Sequence, residues 1–292
     1  MDAIIVGGDH TKEELYDTKE KVHGNKFSLN LNNRYMGEYV LDALVKSKYI
    51  DKVVIVTDKT KVTKKFKYKK KIIFVHQVGK LTQNFLEAIK EVNIKDNRPV
   101  LVITADLPLI TKDAVNALVK EYKKYDSDIF LGMVPYKNFK NLLGICTTNF
   151  LGIRVNNKLV YAEKVNGLII KPRDIINNKI LIKIVQIMYE NREAESIRRQ
   201  IMNIKFFPYI LKNFGFFSVL QAIYLYLTSK FLGIITKKNN LYWLLPDKEN
   251  FEKKISKKYK VNIGFVDYPE LTIDCDTEED KKNIEGILAK LS

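Results

Sequence analysis

The chain has 292 residues, 46% of them hydrophobic and 29% charged, an ordinary globular composition long enough to bury a full core without disulfide staples. Its formal charge of +16 reads mainly as a lysine-rich solvated surface, and with no helix-turn-helix, zinc-finger or RNA-binding signature a specific nucleic-acid site is not expected. Cys146 and Cys275 make neither a disulfide framework nor a metal-ligand spacing, and the opening MDAIIVGG lacks a signal-peptide pattern, so a cytoplasmic location is expected.

Taken in chain order, Ala3 to Val6 is a short apolar run closed by Gly7-Gly8. Tyr39 to Lys46 has helical spacing, Val53 to Val56 and Ile72 to Val75 are continuous apolar runs, and Phe85 to Val92 reads as a helix. The lysine run from Lys59 to Lys71 between them is expected to be an exposed loop or helix. Val100 to Ile103 is a further strand, followed by a helix from about Thr111 to Tyr122 and a strand from Ile129 to Val134. Runs apolar on both faces that alternate with helices predict an α/β fold: a Rossmann-like, mostly parallel sheet with helices on both faces.

Beyond residue 137 the pattern changes. Leu151 to Val165 looks like a hairpin turning at Asn156-Asn157, and Arg173 to about Ile235 is helical and increasingly aromatic. Asp247 to Tyr259 reads as a charged helix, Val261 to Val266 and Leu271 to Asp274 as strands, and Thr277 to Leu291 as a closing helix. The chain is thus expected to form one domain over residues 1–292, with its core at 1–137 and 260–292 and an aromatic-rich helical insertion at about 138–259. Pro208 and Gly215 interrupt the apolar stretch Phe206 to Ile235, which argues against a membrane-spanning helix. Packing on the sheet or on a second subunit, as a homodimer, is the expected role; peripheral membrane contact through an interfacial helix is the alternative.

Three places carry candidate chemistry. Gly7 and Gly8 follow the first strand, where glycine lets backbone approach a phosphate, although no P-loop lysine or G-x-G-x-x-G pattern follows. Asp106 emerges just after Thr104-Ala105 at the carboxyl end of a strand, where open α/β sheets bind ligands and where a carboxylate suits Mg²⁺. Thr111 already serves as the cap of the next helix, which leaves Asp106 without a structural duty. Asp274 and Asp276 alternate with Ile273 and Cys275, so extended chain places both carboxylates on one side; Thr277 and Asp280 are spaced as a capping box.

The order of AIIVGG, Asn25-Lys26, Arg34-Tyr35-Met36-Gly37-Glu38 and the following YVLDAL resembles the N-terminal part of the MobA-like NTP transferases, and TADLPLIT and DCDTEED resemble that family's two metal-binding regions. The resemblance covers Met1 to about Val134 and Pro269 to Ser292. It implies a nucleotide-diphospho-sugar transferase fold with the nucleotide over the carboxyl edge of the sheet. It also implies roles: Gly7 and Gly8 line the nucleotide with Thr104 and Ala105, Lys26 neutralises the triphosphate, and Asp106 and Asp276 hold Mg²⁺, with Asp274 the rival for the second place. Asn84 falls where family members contact the base. Where the family continues with a third glycine and an arginine, this chain has Asp9-His10-Thr11-Lys12, so Lys12 is the candidate to replace that charge; Asn25 stands where the family has proline.

The activity implied is transfer of a nucleoside monophosphate from a nucleoside triphosphate to a small phosphorylated acceptor, with pyrophosphate leaving. His10, His23 and His76 have no assigned part in it. Two alternatives stay open: a glycosyltransferase using a nucleotide-sugar, and a non-catalytic nucleotide-binding or membrane-associating relative.

Overall fold

The computed structural model describes residues 1–7, 24–63, 66–78, 81–92, 96–139, 150–176, 247–255 and 259–291. The first apolar run forms β1 (Asp2–Val6), and its neighbours follow in sequence: β2 (Asn30–Leu31), β3 (Arg34–Tyr35), α1 (Met36–Lys46), β4 (Lys52–Thr57), β5 (Lys71–His76), α2 (Leu81–Lys90), β6 (Val100–Thr104), α3 (Lys112–Tyr122) and β7 (Ile129–Pro135). Then come β8 (Leu151–Val155), β9 (Lys158–Lys164), β10 (Gly167–Ile170), α4 (Pro172–Ile176), α5 (Lys248–Ile255), β11 (Val261–Phe265) and α6 (Glu278–Leu291).

Nine of these strands form one sheet in the order β5-β4-β1-β6-β10-β7-β9-β8, with β11 also on β7. β5, β4, β1 and β6 are mutually parallel, as is the β7–β11 pair, whereas β10 runs antiparallel to both β6 and β7. β9 and β10 are two halves of one bent strand: β9 pairs antiparallel with the end of β7, and β10 slots between β6 and the start of β7. At the bend Val165 still donates its N–H to Gly132 O at 2.9 Å.

Both faces are covered, as the doubly apolar strands require. Ala3, Ile5, Val53 and Ile55 pack with Val40 and Leu44 of α1 and Val115 and Leu118 of α3. Ile4, Val54 and Val56, pointing the other way, pack with Ala88 and Ile89 of α2. A smaller cluster joins Leu31 and Met36 to Ile273, Cys275 and Ile284, which seats α6 against the start of α1.

The local expectations fare unevenly. Thr111 caps α3 by accepting from Ala114 N at 3.1 Å. The Thr277–Asp280 box closes in both directions: Asp280 N donates to Thr277 Oγ1 at 3.1 Å and Thr277 N to Asp280 Oδ2 at 3.0 Å. The β8–β9 hairpin turns on Asn156 (φ 49°) and Asn157 (φ 59°), both left-handed, as a tight primed turn demands and asparagine tolerates.

Leu271 to Asp274 is not a strand. A 3₁₀ turn at Pro269–Leu271 leads into a stretch with no ladder, because this stretch is held by isolated hydrogen bonds rather than by a neighbouring strand. The expected alternation survives in burial alone: Ile273 and Cys275 are buried, and Asp274 and Asp276 are partly buried.

β8, β9 and β10 lie within the range read as insertion, yet they are strands of the main sheet, since the bent strand has its pairing partners in β6 and β7. The aromatic stretch 206–235 and Cys146 lie outside the described residues, as does most of the helical pattern after α4. The lysine run is more than solvated chain: Phe66 stacks on Phe74 at 5.8 Å and meets the edge of Phe27 at 6.2 Å, while the Tyr68 hydroxyl donates to Asp42.

Candidate active site: an acidic cluster on a buried lysine

Three strand ends define the carboxyl edge. Gly7 follows β1, Thr57 ends β4, and Ala105 and Asp106 follow β6. Gly7 N donates to Val56 O and Ala105 N to Val6 O, both at 2.9 Å, which locks the three ends in line. A Cβ on Gly7 would lie 2.8 Å from Phe27 Cβ and 2.9 Å from Ala105 Cβ. Glycine is thus needed here for close packing, and its amide is engaged within the sheet. Thr104 is also tied to the bent strand, donating its N–H to Asn166 O at 3.4 Å. Gly8 and Lys12 lie outside the described residues.

Phe27 is a fully buried anchor beneath this edge, and Gly37 gives it room: an added Cβ there would fall 2.1 Å from its ring. The residues before it are placed accordingly. Asn25 Oδ1 accepts from Thr57 Oγ1 at 2.7 Å and from Ser28 N at 3.1 Å, while its buried Nδ2 has no acceptor among the described residues.

Lys26 is the centre of the site. Its side chain is only 6% exposed, and its Nζ donates to Cys275 O at 2.7 Å and to Asp276 Oδ1 at 2.7 Å. It also forms an ion pair with Asp106 Oδ2 at 3.5 Å. One ammonium therefore draws together the three residues the sequence singled out as catalytic. Burial alone would lower the lysine pKa; Asp106 first and then Asp276 outweigh it and raise it, so Lys26 stays charged.

Asp274 completes the cluster from the same segment. Burial, and then repulsion from Asp276 and Asp106, push its carboxyl up to about 7. Three carboxylates thus face one lysine, a local excess of negative charge. The neighbouring Cys275 thiol, pushed up to about 12 mainly by burial, is no nucleophile. Asn84 sits on α2, buried, with its Oδ1 accepting from Val78 N at 2.8 Å, and so links the helix to the chain just after β5.

The raised carboxyl sets an expected pH dependence. A carboxyl whose pKa is higher in the folded state than in the unfolded chain favours folding when protonated, so its destabilising effect grows as pH rises from about 4 to 7 and is complete above 7. Asp274→Asn keeps an oxygen for its hydrogen bond from Asn166 but cannot ionise. The variant is expected to unfold at higher urea than the wild type at pH 8, by an amount on the order of 2–4 kcal/mol, with the two converging below about pH 4. Parallel urea curves across that range would refute the assignment.

Sequence reading marks Asn25 only as a departure from the family pattern, with no role, and does not single out Asn166. Both act through amide hydrogen bonds that reach residues far along the chain, Thr57 for Asn25 and Thr272 and Asp274 for Asn166, and a lone asparagine in a loop gives no signal of that.

Comparison with known proteins bears on the family and the fold. Residues 20–148 match the family described as MobA-like NTP transferase domain. Among curated proteins no sequence matches significantly. Two solved structures share the fold over nearly their whole length. A hypothetical transferase from Thermus thermophilus is 19% identical with a TM-score of 0.60, covering 96% of this chain and 99% of its own. The CMP:2-keto-3-deoxy-manno-octonic acid synthetase, solved in complex with CTP, is 12% identical with a TM-score of 0.53, covering 100% and 99%. The architecture is therefore the α/β fold of these two proteins, and within it residues 20–148 are similar to the MobA-like NTP transferase domain.

Proposed function

We propose that the protein is a nucleotidyltransferase that passes a nucleoside monophosphate from a nucleoside triphosphate to a small phosphorylated acceptor. The observation that carries this reading is the convergence of Asp106 and Asp276 on the Lys26 ammonium at the carboxyl edge of the sheet. The CTP named in the complex of the synthetase of like fold supports the same substrate class.

In the reaction, an acceptor oxygen attacks the α-phosphorus in line, a new P–O bond forms, and the bond to pyrophosphate breaks. No protein nucleophile is needed. The site must gather and neutralise charge, and Lys26 supplies a fixed cation for that purpose.

The residues present fit Mg²⁺. Among the described residues the buried Asp106 Oδ1 has no hydrogen-bond donor, and the set of oxygen donors is the kind a hard cation prefers. Among the described residues no three His, Cys, Asp or Glu side chains are placed to hold a metal by themselves. A cation on Asp106 and Asp276 would take its remaining oxygens from water and phosphate, the usual habit of Mg²⁺. Bound there, it would supply charge neutralisation for the phosphates.

Thermal melting against a panel of nucleoside triphosphates, with and without Mg²⁺, tests this without knowledge of the acceptor, since a ligand that binds only the native state stabilises it. A Mg²⁺-dependent rise for one triphosphate is expected, and it names the base. No rise with any triphosphate, together with a rise for a nucleotide-sugar, would replace the proposal by a glycosyltransferase. Among the described residues no helix is long and apolar enough to cross a membrane.

A further inference from the structure

We infer that Asn166 is the positioning residue that pins the acidic segment Thr272–Asp276 against the end of β6, and so sets the distance between Asp276 and Asp106. The inference rests on the transferase reading for its functional meaning, but its geometry stands apart from it.

The segment needs a clamp. It belongs to no strand or helix, yet it carries Asp274, Asp276 and the carbonyl that binds Lys26. Asn166 stands at the bend between β9 and β10 and makes three bonds, one to the residue that leads into the segment and two to the segment itself. Its backbone N–H donates to Leu271 O at 2.9 Å, and its Nδ2 donates to Thr272 O at 3.0 Å and to Asp274 Oδ2 at 3.1 Å. Both side-chain neighbours are acceptors, so the amide must present its NH₂ end to them.

The other side of Asn166 holds β6. Its carbonyl accepts from Thr104 N and from Thr104 Oγ1, each at 3.4 Å. Two residues further on, Asp106 O accepts from Cys275 N at 3.0 Å. One residue thus ties both carboxylate-bearing segments to the same bent strand.

A side chain that orients ligating groups from behind is commonly worth about 10–100-fold in metal affinity. Asn166→Ala removes both side-chain donors. Asn166→Asp keeps the shape and turns donors into acceptors facing a carbonyl and a carboxylate. The double change Asn166→Asp with Asp274→Asn restores one donor–acceptor pair in the reverse sense.

The experiment has two readouts on the full chain: amide hydrogen exchange at Cys275, whose N–H reports the junction with Asp106, and Mn²⁺ affinity by electron paramagnetic resonance. In Asn166→Ala, and more in Asn166→Asp, Cys275 exchange is expected to quicken by about tenfold or more relative to the β1 and β4 amides, and Mn²⁺ affinity to fall about tenfold. The double variant should recover part of both relative to Asn166→Asp. Asn166→Ser, a smaller change, serves if Asn166→Ala does not fold. A lower melting temperature with Cys275 exchange and Mn²⁺ affinity unchanged would overturn the inference, leaving a general structural role. A wild type that binds no Mn²⁺ with or without triphosphate would defeat the transferase reading instead, and Cys275 exchange alone would then uphold or overturn the clamp.

Discussion

Asp106→Asn should lower pyrophosphate release by about a thousandfold or more while leaving the fold intact, a loss comparable to removing a principal charge-stabilising group from an active site. Two features separate activity from stability at this position. The structural bond of Asp106 is its backbone carbonyl, which accepts from Cys275 N and is untouched by the change. Its side chain, 15% exposed, has one oxygen near Lys26 and another with no donor among the described residues. Neutralising it also removes one of the repulsions acting on Asp274. The check is a pyrophosphate-release assay over a pool of phosphorylated acceptors, with melting curves alongside. Unchanged release would remove Asp106 from the chemistry; lost release with a collapsed melt would leave it a structural residue.

Lys26→Met is expected to produce the largest loss of stability in the protein. Breaking a buried pair by deleting one partner typically costs about 3–5 kcal/mol, because the remaining charges are left without compensation. Here the remainder is a group of carboxylates and the Cys275 carbonyl. For a chain of this size that is a fall in Tm of roughly 10 °C. The fall should be larger at pH 8 than at pH 5, since Asp274 takes up a proton over that interval and relieves the excess negative charge. Lys26 itself contributes in the opposite sense. With its pKa raised above 10.5, its stabilisation is present at all lower pH and is lost only in strong alkali, as pH climbs through the folded value. Added Mg²⁺ should restore part of the Tm. A variant as stable as the wild type at pH 8 would show that the cluster needs no resident cation.

The sequence disclosed those parts of the site whose signals are local. Asp106 follows an apolar strand and stands before a helix already capped by Thr111, and both features are visible in a dozen residues. The Thr277–Asp280 box was equally plain. What was hidden depends on long-range pairing. Ile273 and Cys275 have the alternation of a strand, but alternation reports which side chains are buried and says nothing of whether a neighbour supplies a ladder. The partners of Lys26 lie 249 and 250 residues away. The aromatic pair in KKFKYKK was legible in hindsight, since Phe66 and Tyr68 share a period of two among lysines. The placement of β10 between β6 and β7 could not be read at all, because periodicity shows that a strand exists and not which gap it fills.

That 250-residue separation has a consequence for how the protein is made. While the chain is still being synthesised, the leading strands β1, β4 and β6 can pair, but Lys26 has no acceptors from the acidic segment until residues 271–276 have left the ribosome. Contacts so distant in sequence close late and slowly, because the loop entropy falls due before they form. A nascent chain halted short of residue 271 would hold its lysine against Asp106 alone. The cluster on Lys26 thus assembles only after the strands that precede it, and a chain released short of residue 271 would carry a buried lysine without its two closest acceptors.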